Sequence, residues 1–540
     1  DDVSTIPSGL LWFYPHSYFP GLSGVSEPPL GNMIIGAGCM LSGEDFSKVS
    51  EVKKTFYPGR EELVGQQLVK AENYCHFPIY LFGILFFIML IILSFSILEK
   101  YSALFTISFF AFYPVLLNFS RWIHVDVILY FLASVFLFFI WKFYVSEKNS
   151  RKEMTNLLIS AVFIGLASAT KFSIGSFIFF GVFIIINKYK DESLSLFKRV
   201  LKILNLSLAE KIKQNENYQR LIILLMLFLL IFLIVFLIPF KFNPKNAYDT
   251  YERYTTFTSP EFAKAYFDFN LARILNYTFI SQVNLIDTII FLFSLIIFFR
   301  LFFIKKDKNE RFIIYLIIFF LISAIIFSQA LDIPRISLPY LIGIIFLMSM
   351  AFSSKNYSFF EMFKIHKKKI FFIIFILIYI SYSFSIAYSS SPYFATINPI
   401  TCHFTRGKCE IGLTAYSAKA TGNYLNEILK ENETFIGLEG VIFYYVRQEQ
   451  SLQNFYFEEI FKQRVGRYPT AKEKVEYFRP NNLTVRYILL NSSPIAGRDY
   501  KDPSLIDLRD NFEPNHRIIL NNKEAVWIYD LENLKNNGRK

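Results

Sequence analysis

The sequence predicts a mainly α-helical membrane protein, in which a polytopic transmembrane bundle is followed by a small α/β domain. The chain of 540 residues is 53% hydrophobic and 19% aromatic, and one soluble core cannot bury that much apolar surface. Ten apolar runs are long enough, or nearly so, to cross a bilayer. Basic residues stand in short clusters between these runs, which is the pattern of membrane topology.

The apolar runs set the order of elements along the chain. They lie at 78–98, 101–118, 125–145, 156–170, 172–187, 220–240, 285–304, 312–330, 336–352 and 370–388. The two short runs 156–170 and 172–187 allow an alternative, a single bent helix, which would invert every later segment. With ten spans, the chain consists of a first extracytoplasmic loop at 1–77, a transmembrane bundle at 78–388 and an extracytoplasmic α/β domain at 389–540.

The distribution of positive charge predicts the orientation. The formal net charge is +12, but the basic residues that produce it stand between apolar runs. We therefore predict a lipid bilayer and no nucleic acid as partner. Basic residues concentrate in alternate loops, and these are expected to lie inside. The basic residues of these inner loops include Lys148, Arg151, Lys152, Lys188, Lys190, Lys305, Lys306, Lys308, Arg311, Lys367, Lys368 and Lys369. Residues 1–77 and 389–540 then lie outside the cell, or in the lumen of a eukaryotic endoplasmic reticulum.

All four cysteines fall in segments that are predicted to lie outside. An oxidising compartment would allow them to form disulfides. We favour a bond between the close pair Cys402 and Cys409, and leave a bond between Cys39 and Cys75 open, because spacing does not fix connectivity. Four free thiols or a metal site are the alternatives.

The outer segments contain further predicted elements. A short interfacial helix is expected at 30–41, and a second amphipathic stretch at 60–76. The last domain alternates helical and strand patterns and contains neither a phosphate-binding Gly-rich loop nor a nucleophile elbow. Its predicted elements are a helix at 415–430, strands at 434–438, 441–446 and 485–490, and a hairpin of 517–520 with 525–529. We interpret this domain as an acceptor-docking or structural cap.

Ionisable residues at the outer ends of the spans are the candidate site. Carboxylates there can take a proton from an attacking hydroxyl, and Arg or Lys can hold a phosphate. The candidates are Asp1, Asp2, Glu27, Arg121, His124, Asp126, Lys171, Asp332 and Arg335. Asp1 and Asp2 are also the one place where we expect that a divalent cation could bind, and zinc is not expected because no His pair has helical spacing among the spans.

Each candidate also has a structural explanation. Asp1 and Asp2 could be solvated residues at a chain end, and Glu27 a turn residue before two prolines. Arg121 and Asp126 could form an ion pair that anchors a helix end. Lys171 could extend to the interface, and Arg335 could be another interface anchor. Their clustering on one membrane face favours the functional interpretation.

Five segments in order resemble the motifs of the protein O-mannosyltransferase-like family, which includes the lipid A aminoarabinose transferases. They are Asp1-Asp2, Glu27-Pro28-Pro29-Leu30-Gly31, Ser120-Arg121 with Asp126, Gly165-Leu166-Ala167 through Thr170-Lys171-Phe172, and Pro334-Arg335 with Leu338-Pro339. The resemblance covers roughly residues 1–390. The chain departs from the pattern at Glu27, where the family has His, and at Asp2, where Glu is commoner; Arg335 lacks the Tyr that usually follows.

The resemblance implies a C-class glycosyltransferase with a polyprenyl-phosphate-linked sugar as donor. Lys171 and Arg335, with Arg121, would bind the donor phosphate, and Asp1 or Asp2 would activate the hydroxyl of a protein, glycan or lipid acceptor, with inversion at the sugar carbon. The donor is expected on the outer or lumenal face. The family pattern also places one further span before the acidic pair, which would lie ahead of Asp1.

Two other function classes remain open from the sequence. A transporter or flippase would need polar residues in mid-membrane and, often, inverted repeats, whereas the ionisable residues here cluster at span ends. A non-catalytic membrane scaffold with an extracytoplasmic binding domain is the second. An oligosaccharyltransferase is not favoured, because its Trp-Trp-Asp-Tyr-Gly signature is missing and Trp527 is the single Trp of the last domain.

Overall fold

The computed structural model describes most of the helical part of the chain and the sheet of the last domain. The described residues are 29–45, 61–113, 116, 125–189, 216–257, 285–301, 307–326, 338–353, 367–390, 413–430, 433–436, 473, 484–491, 505, 508, 509, 511–520 and 523–533. They form two compact units. The first contains the described residues of 29–39 and 74–383, and the second contains the described residues of 40–73 and 384–540.

Helices build the first unit. In chain order they are α1 (Pro29–Met40), α2 (Glu61–Ile97), α3 (Lys100–Phe112), α4 (Asp126–Val145), α5 (Arg151–Ser168), α6 (Phe177–Lys188), α7 (Glu216–Leu237), α8 (Pro244–Phe257), α9 (Leu285–Leu301), α10 (Lys308–Ile326), α11 (Leu338–Ser349) and α12 (Lys368–Ser390). Short 3₁₀ turns occur at Phe172–Ser176, Ile238–Phe240 and Met350–Phe352.

Capping residues in the sequence fix several helix starts. The Ser150 hydroxyl accepts a hydrogen bond from the Glu153 N–H at the start of α5, at 3.1 Å. At the start of α10, Asp307 and Glu310 each accept the backbone N–H of the other. The α10 pair is a reciprocal capping box, whereas at α5 the Glu153 carboxylate accepts the Asn149 N–H. Both arrangements satisfy N–H groups that have no partner within the helix.

Successive apolar helices run in alternate directions. Lys171, just after α5, meets Asp126 at the start of α4. Lys188, at the end of α6, meets Glu153 at the start of α5. We call these the Asp126 end and the Glu153 end of the bundle. Because α5 runs from the Glu153 end to the Asp126 end and α6 runs back, residues 156–187 are two antiparallel segments and not one bent helix.

The other helices follow the same alternation. Arg220, at the start of α7, pairs with Glu153, and Asn309, at the start of α10, donates to the Ile97 carbonyl at the end of α2. Ring contacts place Phe352, after α11, beside Phe372, near the start of α12. The end of α2 and the starts of α7 and α10 therefore lie at the Glu153 end, and α11 and α12 run in opposite directions.

Four helices in the described part of the chain are long and apolar enough to cross a membrane, judged by length and composition. They are Asn73–Ile97, Asp126–Val145, Gln219–Phe240 and Lys368–Ser385. Four shorter apolar helices are Pro29–Met40, Lys100–Phe112, Ile174–Lys188 and Ile342–Phe352. The mainly helical, membrane-type fold is confirmed, whereas the count of ten spans stays a prediction.

Helix α2 differs from the sequence prediction in one respect. The expected amphipathic stretch at 60–76 and the first apolar run form one continuous helix of 37 residues with Pro78 inside it. Pro78 cannot donate a backbone hydrogen bond, and it is the residue against which Gly38 of α1 lies.

The second unit has the small α/β fold that the sequence predicts. Helix α13 (Leu413–Ile428) precedes the strands β1 (Glu433–Ile436), β2 (Thr484–Asn491), β3 (His516–Leu520) and β4 (Lys523–Asp530). The sheet order is β1-β2-β4-β3, with β1 and β2 parallel and the other pairs antiparallel. The hairpin is therefore observed, and the predicted strand at 441–446 lies outside the described residues.

Candidate functional site

A buried ion pair lies at the Asp126 end of the bundle. The Lys171 Nζ is 2.9 Å from the Asp126 Oδ1, and the two side chains are 1% and 0% exposed. Asp126 occupies the first turn of α4, where a negative charge interacts favourably with the helix dipole. Lys171 follows the end of α5, in extended backbone between Thr170 and the 3₁₀ turn.

Helix α1 packs directly beside this pair. The Leu30 N–H donates to the Ala169 carbonyl at 3.0 Å, so a free N–H at the start of α1 satisfies a free carbonyl at the end of α5. A Cβ on Gly31 would lie 2.6 Å from a Val125 methyl carbon and 2.8 Å from the Thr170 methyl carbon. Only glycine allows this approach. A helix is thus present where one was predicted at 30–41, and its interfacial position stays a prediction. Its first turn contacts Val125 and Thr170, which precede Asp126 and Lys171 in the sequence.

A disulfide attaches the other end of α1. Cys39 of α1 is bonded to Cys75 of α2, so the pairing that the sequence left open is present in the structure. Gly38 lies close to the Pro78 ring in the same region. The position of α1 is thus fixed at its first turn by packing and at its last turn by a covalent bond. Cys402 and Cys409 lie outside the described residues, and their bond stays a prediction.

Aromatic rings surround the turn that follows Lys171. The Phe172 ring lies 6.1 Å from Phe236, 6.4 Å from Phe240 and 5.6 Å from Tyr251 of α8. Tyr251 remains half exposed. Helix α8 lies between the apolar runs 220–240 and 285–304, in a segment that is predicted to lie outside. It covers the apolar side of the Lys171 turn.

Of the residues that the sequence singled out, the structure brings Asp126 and Lys171 together. They are 45 residues apart in the chain and share a hydrogen bond. Lys171 is thus a partner of Asp126 among the described residues. The suggested ion pair of Asp126 with Arg121 involves a residue outside them and stays a prediction. The remaining candidates lie outside the described residues: Asp1, Asp2, Glu27, Arg121, His124, Asp332 and Arg335.

The buried carboxylates that the sequence analysis missed include Glu153 and Asp287. Glu153 is fully buried and accepts hydrogen bonds from Tyr189 at 2.8 Å and from Arg220 at 3.0 Å, in addition to its Lys188 ion pair. Burial alone would raise the pKa of Glu153, but the Lys188, Tyr189 and Arg220 contacts outweigh it and hold that pKa below its ordinary value. The Ser150-x-x-Glu153 spacing was the available signal.

The second missed carboxylate is Asp287, in the first turn of α9. It is 4% exposed and accepts a hydrogen bond from the Tyr379 hydroxyl at 2.8 Å. It lies within an apolar run, where ionisable residues are rare and have partners. A lone acidic residue at the edge of a run of hydrophobic residues was the signal that could have found it.

Residues 16–248 match the protein family described as dolichyl-phosphate-mannose-protein mannosyltransferase. The matched segment contains Glu27, Arg121, Asp126 and Lys171, and the match confirms the family resemblance that the motifs suggested. No curated protein is similar enough in sequence to match the chain.

Three solved structures match the chain in shape. One is ArnT from Cupriavidus metallidurans in the apo state, with 12% identity, a TM-score of 0.44, and coverage of 97% of this chain and 92% of that one. The same protein bound to undecaprenyl phosphate gives 10% identity, a TM-score of 0.45 and the same coverages. The archaeal oligosaccharyltransferase AglB from Archaeoglobus fulgidus, in complex with an inhibitory peptide and a dolichol-phosphate, gives 10% identity, a TM-score of 0.42, and coverage of 91% and 65%.

Proposed function

We propose that this chain is a membrane glycosyltransferase that moves a sugar from a polyprenyl-phosphate-linked donor to a hydroxyl acceptor at the Asp126 end of its bundle. The family match of residues 16–248 supports the reaction class. The observation that carries the location is the buried Asp126–Lys171 ion pair, beside which the first turn of α1 packs.

In this proposal Lys171 binds the phosphate of the donor. A buried ammonium tends to lose its proton unless an opposite charge lies close to it. Asp126, at 2.9 Å, provides that charge for the buried Lys171 side chain. A cation held there stabilises the negative charge that the departing phosphate gains. Asp126 acts as a positioning residue, and Arg335 and Arg121 add further phosphate contacts.

The transfer itself exchanges one bond for another at the sugar. The acceptor oxygen forms a bond to the anomeric carbon, the bond from that carbon to the phosphate oxygen breaks, and the polyprenyl phosphate leaves with its electron pair. Asp1 or Asp2 takes the proton of the acceptor hydroxyl, and the configuration at the anomeric carbon inverts. Glu27, which precedes α1 in the sequence, contributes to donor binding in this proposal. The reaction takes place on the extracytoplasmic face of the membrane.

The test uses the full chain, reconstituted in nanodiscs, with polyprenyl-phosphate-mannose as the first donor and other hexose or pentose donors after it. Mass spectrometry of the lipid follows donor consumption in the parent chain and in Lys171→Met, Asp126→Asn and the double variant. We expect Lys171→Met to slow the consumption by about 100-fold, which is the typical effect of removing a group that stabilises developing charge.

The double variant separates a functional pair from a structural one. Each single change leaves a buried charge without its counter-ion and should lower the free energy of unfolding by about 3 kcal/mol, whereas the double change removes both charges and should recover much of it. The proposal expects that the double variant regains stability and stays inactive. If its activity returns together with its stability, the pair is only structural and the proposed location is wrong.

A control and two further variants complete the experiment. Glu153→Gln removes a buried carboxylate from the Glu153 end, so it should lose stability while its folded fraction still consumes donor. Asp1→Asn and Asp2→Asn assign the base, since one of them should abolish transfer. If the parent chain consumes none of the donors, the glycosyltransferase proposal itself is wrong.

A further inference from the structure

A polar cavity lies at the Glu153 end of the bundle, opposite to the proposed reaction site. Its volume is about 540 Å³, which is within the range of small-molecule sites. The last residues of α4 and α6 and the first turns of α10 form its walls. The residues lining it are Tyr144, Ser146, Glu147, Lys148, Asn187, Lys188, Lys308, Arg311, Ile314 and Tyr315.

Four of these residues are basic and one is acidic. Lys188 is 4% exposed and is committed to Glu153 and to the Ser146 carbonyl at 3.0 Å. Its role at the cavity is therefore mainly to hold the wall in place. Lys148 and Lys308 are exposed, and Lys148 lies 4.9 Å from the centre of the Tyr189 ring.

Lys308 and Arg311 supply the cationic side of the cavity. They are one helical turn apart at the start of α10, so their side chains lie on the same face. The Lys308 Nζ makes a 3.3 Å hydrogen bond to the Val145 carbonyl, which directs it across the gap toward α4. The nearby acidic residues Asp307 and Glu310 are occupied in capping each other.

We propose that this cavity binds a phosphate-bearing anion, with Lys308 and Arg311 as its principal contacts. A guanidinium can donate two parallel hydrogen bonds to phosphate oxygens, and an ammonium adds a charge that can adjust its position. Ser146, Asn187 and Tyr315 supply polar groups around it, and Ile314 one apolar side. The inference does not depend on the glycosyltransferase proposal, because the cavity lies at the other end of the bundle.

Two sources could supply this chemistry. The Glu153 end is the face predicted to lie inside, where anionic phospholipids concentrate and basic pockets between membrane helices bind their headgroups. A free phosphate in solution is the second source. The same residues would bind either one, so the experiment has an arm for each.

Native mass spectrometry of the full chain in detergent tests the proposal, with phosphatidylglycerol as the anionic probe, phosphatidylcholine as the neutral one, and inorganic phosphate as the soluble one. We expect phosphatidylglycerol to bind more tightly than phosphatidylcholine. The double change Lys308→Gln and Arg311→Gln should weaken it by about 30-fold, from the loss of two interfacial cations. Inorganic phosphate that displaces the lipid would assign the site to the soluble anion, and lipid retained in its presence would assign the headgroup.

The controls separate a built site from general surface charge. Lys367→Gln with Lys369→Gln removes the same charge from the start of α12, where both residues are exposed and neither lines the cavity. That variant should keep full affinity. Lys308→Arg with Arg311→Lys preserves both charges and should lose much less affinity than the double Gln change. Equal losses in the two Gln variants, or equal binding of both lipids by the parent chain, would overturn the proposal. Thermal unfolding midpoints confirm that every variant is folded.

Discussion

Two buried lysine–carboxylate pairs of equal length lie at opposite ends of the same bundle. Each has a 2.9 Å ion pair with almost no exposure, yet their surroundings differ. Glu153 accepts from three side-chain donors, on α6, on the residue that follows α6 and on α7, and from the Asn149 N–H, so its pair closes a structural network. Asp126 and Lys171 instead adjoin the docking point of α1. At the residue scale, the surroundings of a pair decide its role more than its geometry does.

The network around Glu153 predicts a specific dependence of stability on pH. The contacts with Lys188, Tyr189 and Arg220 hold the folded-state pKa of Glu153 below its usual 4.5, so the unfolded state binds a proton at higher pH than the folded state does. The stabilisation is therefore complete above about pH 4.5 and is lost as the pH falls through the folded-state pKa.

Thermal unfolding of the full chain in detergent, measured from neutral to acidic pH, checks this prediction. Glu153→Gln should be less stable than the parent chain at neutral pH, and the gap between the two curves should shrink below about pH 4.5. Parallel curves over the whole range would mean that Glu153 does not titrate with unfolding.

The sequence could predict that Asp126 and Lys171 share a depth, but not that they touch. Their depth follows from the run lengths and from the alternation of loop charge. Their contact depends on how α4 and α5 rotate about their axes, and apolar runs that are hydrophobic on every side carry little information on rotation. Glu153 was missed for a related reason. From the sequence alone, a charged residue at the end of a span is expected to be solvated, and the side-chain donors of Glu153 are known only from the structure.

At the element scale, small residues set how closely the helices cross. A Cβ on Gly165 of α5 would lie 2.9 Å from the Val235 Cβ and 3.0 Å from the Phe232 carbonyl oxygen of α7. Backbone cannot rotate away as a side chain can, so the two helices would have to separate. Close approach at small residues is a main source of helix association in membranes.

Gly165→Ala should therefore lower the free energy of unfolding by about 1–3 kcal/mol through overpacking. Gly83→Ala in α2 is the matched control, because its Cβ would meet only a Val127 methyl carbon at 3.6 Å. The control should be neutral or more stable by up to about 1 kcal/mol, since alanine is the better helix former. Denaturant unfolding of both variants in the same detergent measures the difference; equal effects would contradict the close crossing.

Helix positions were the most predictable part of the fold, and helix ends the least. The apolar runs located α2 to α7 and α9 to α12 because lipid exposure leaves a strong signal. The sequence separated the amphipathic stretch at 60–76 from the first span, whereas α2 passes through Pro78 without a break. Proline normally ends a helix, and here the packing of Gly38 against its ring accompanies the exception.

At the scale of the whole molecule, the alternation of helices assigns each loop of the first unit to one of two ends. The basic residues Lys148, Lys152, Lys188 and Lys308 all belong to the Glu153 end. This agrees with the positive-inside pattern, and it leaves the Asp126 end as the predicted outer face.

Cysteine labelling in intact cells checks this orientation. Lys245→Cys in α8 and Lys152→Cys in α5 replace exposed lysines at the Asp126 end and the Glu153 end. A membrane-impermeant maleimide should label Lys245→Cys in intact cells and Lys152→Cys only after permeabilisation, with the parent chain as background. The reverse pattern would place the Asp126 end in the cytoplasm and contradict an extracytoplasmic reaction.

The bond between Cys39 and Cys75 imposes an order on the biosynthesis of the protein. Thiols remain reduced in the cytosol, so the bond can form only after both cysteines have reached an oxidising compartment. Helix α1, which contacts Val125 and Thr170 beside the proposed site, is covalently fastened at that moment. With the predicted orientation, maturation of the proposed site therefore follows insertion of the chain. A chain that remained on the reducing side of the membrane would lack the disulfide that attaches α1 to α2.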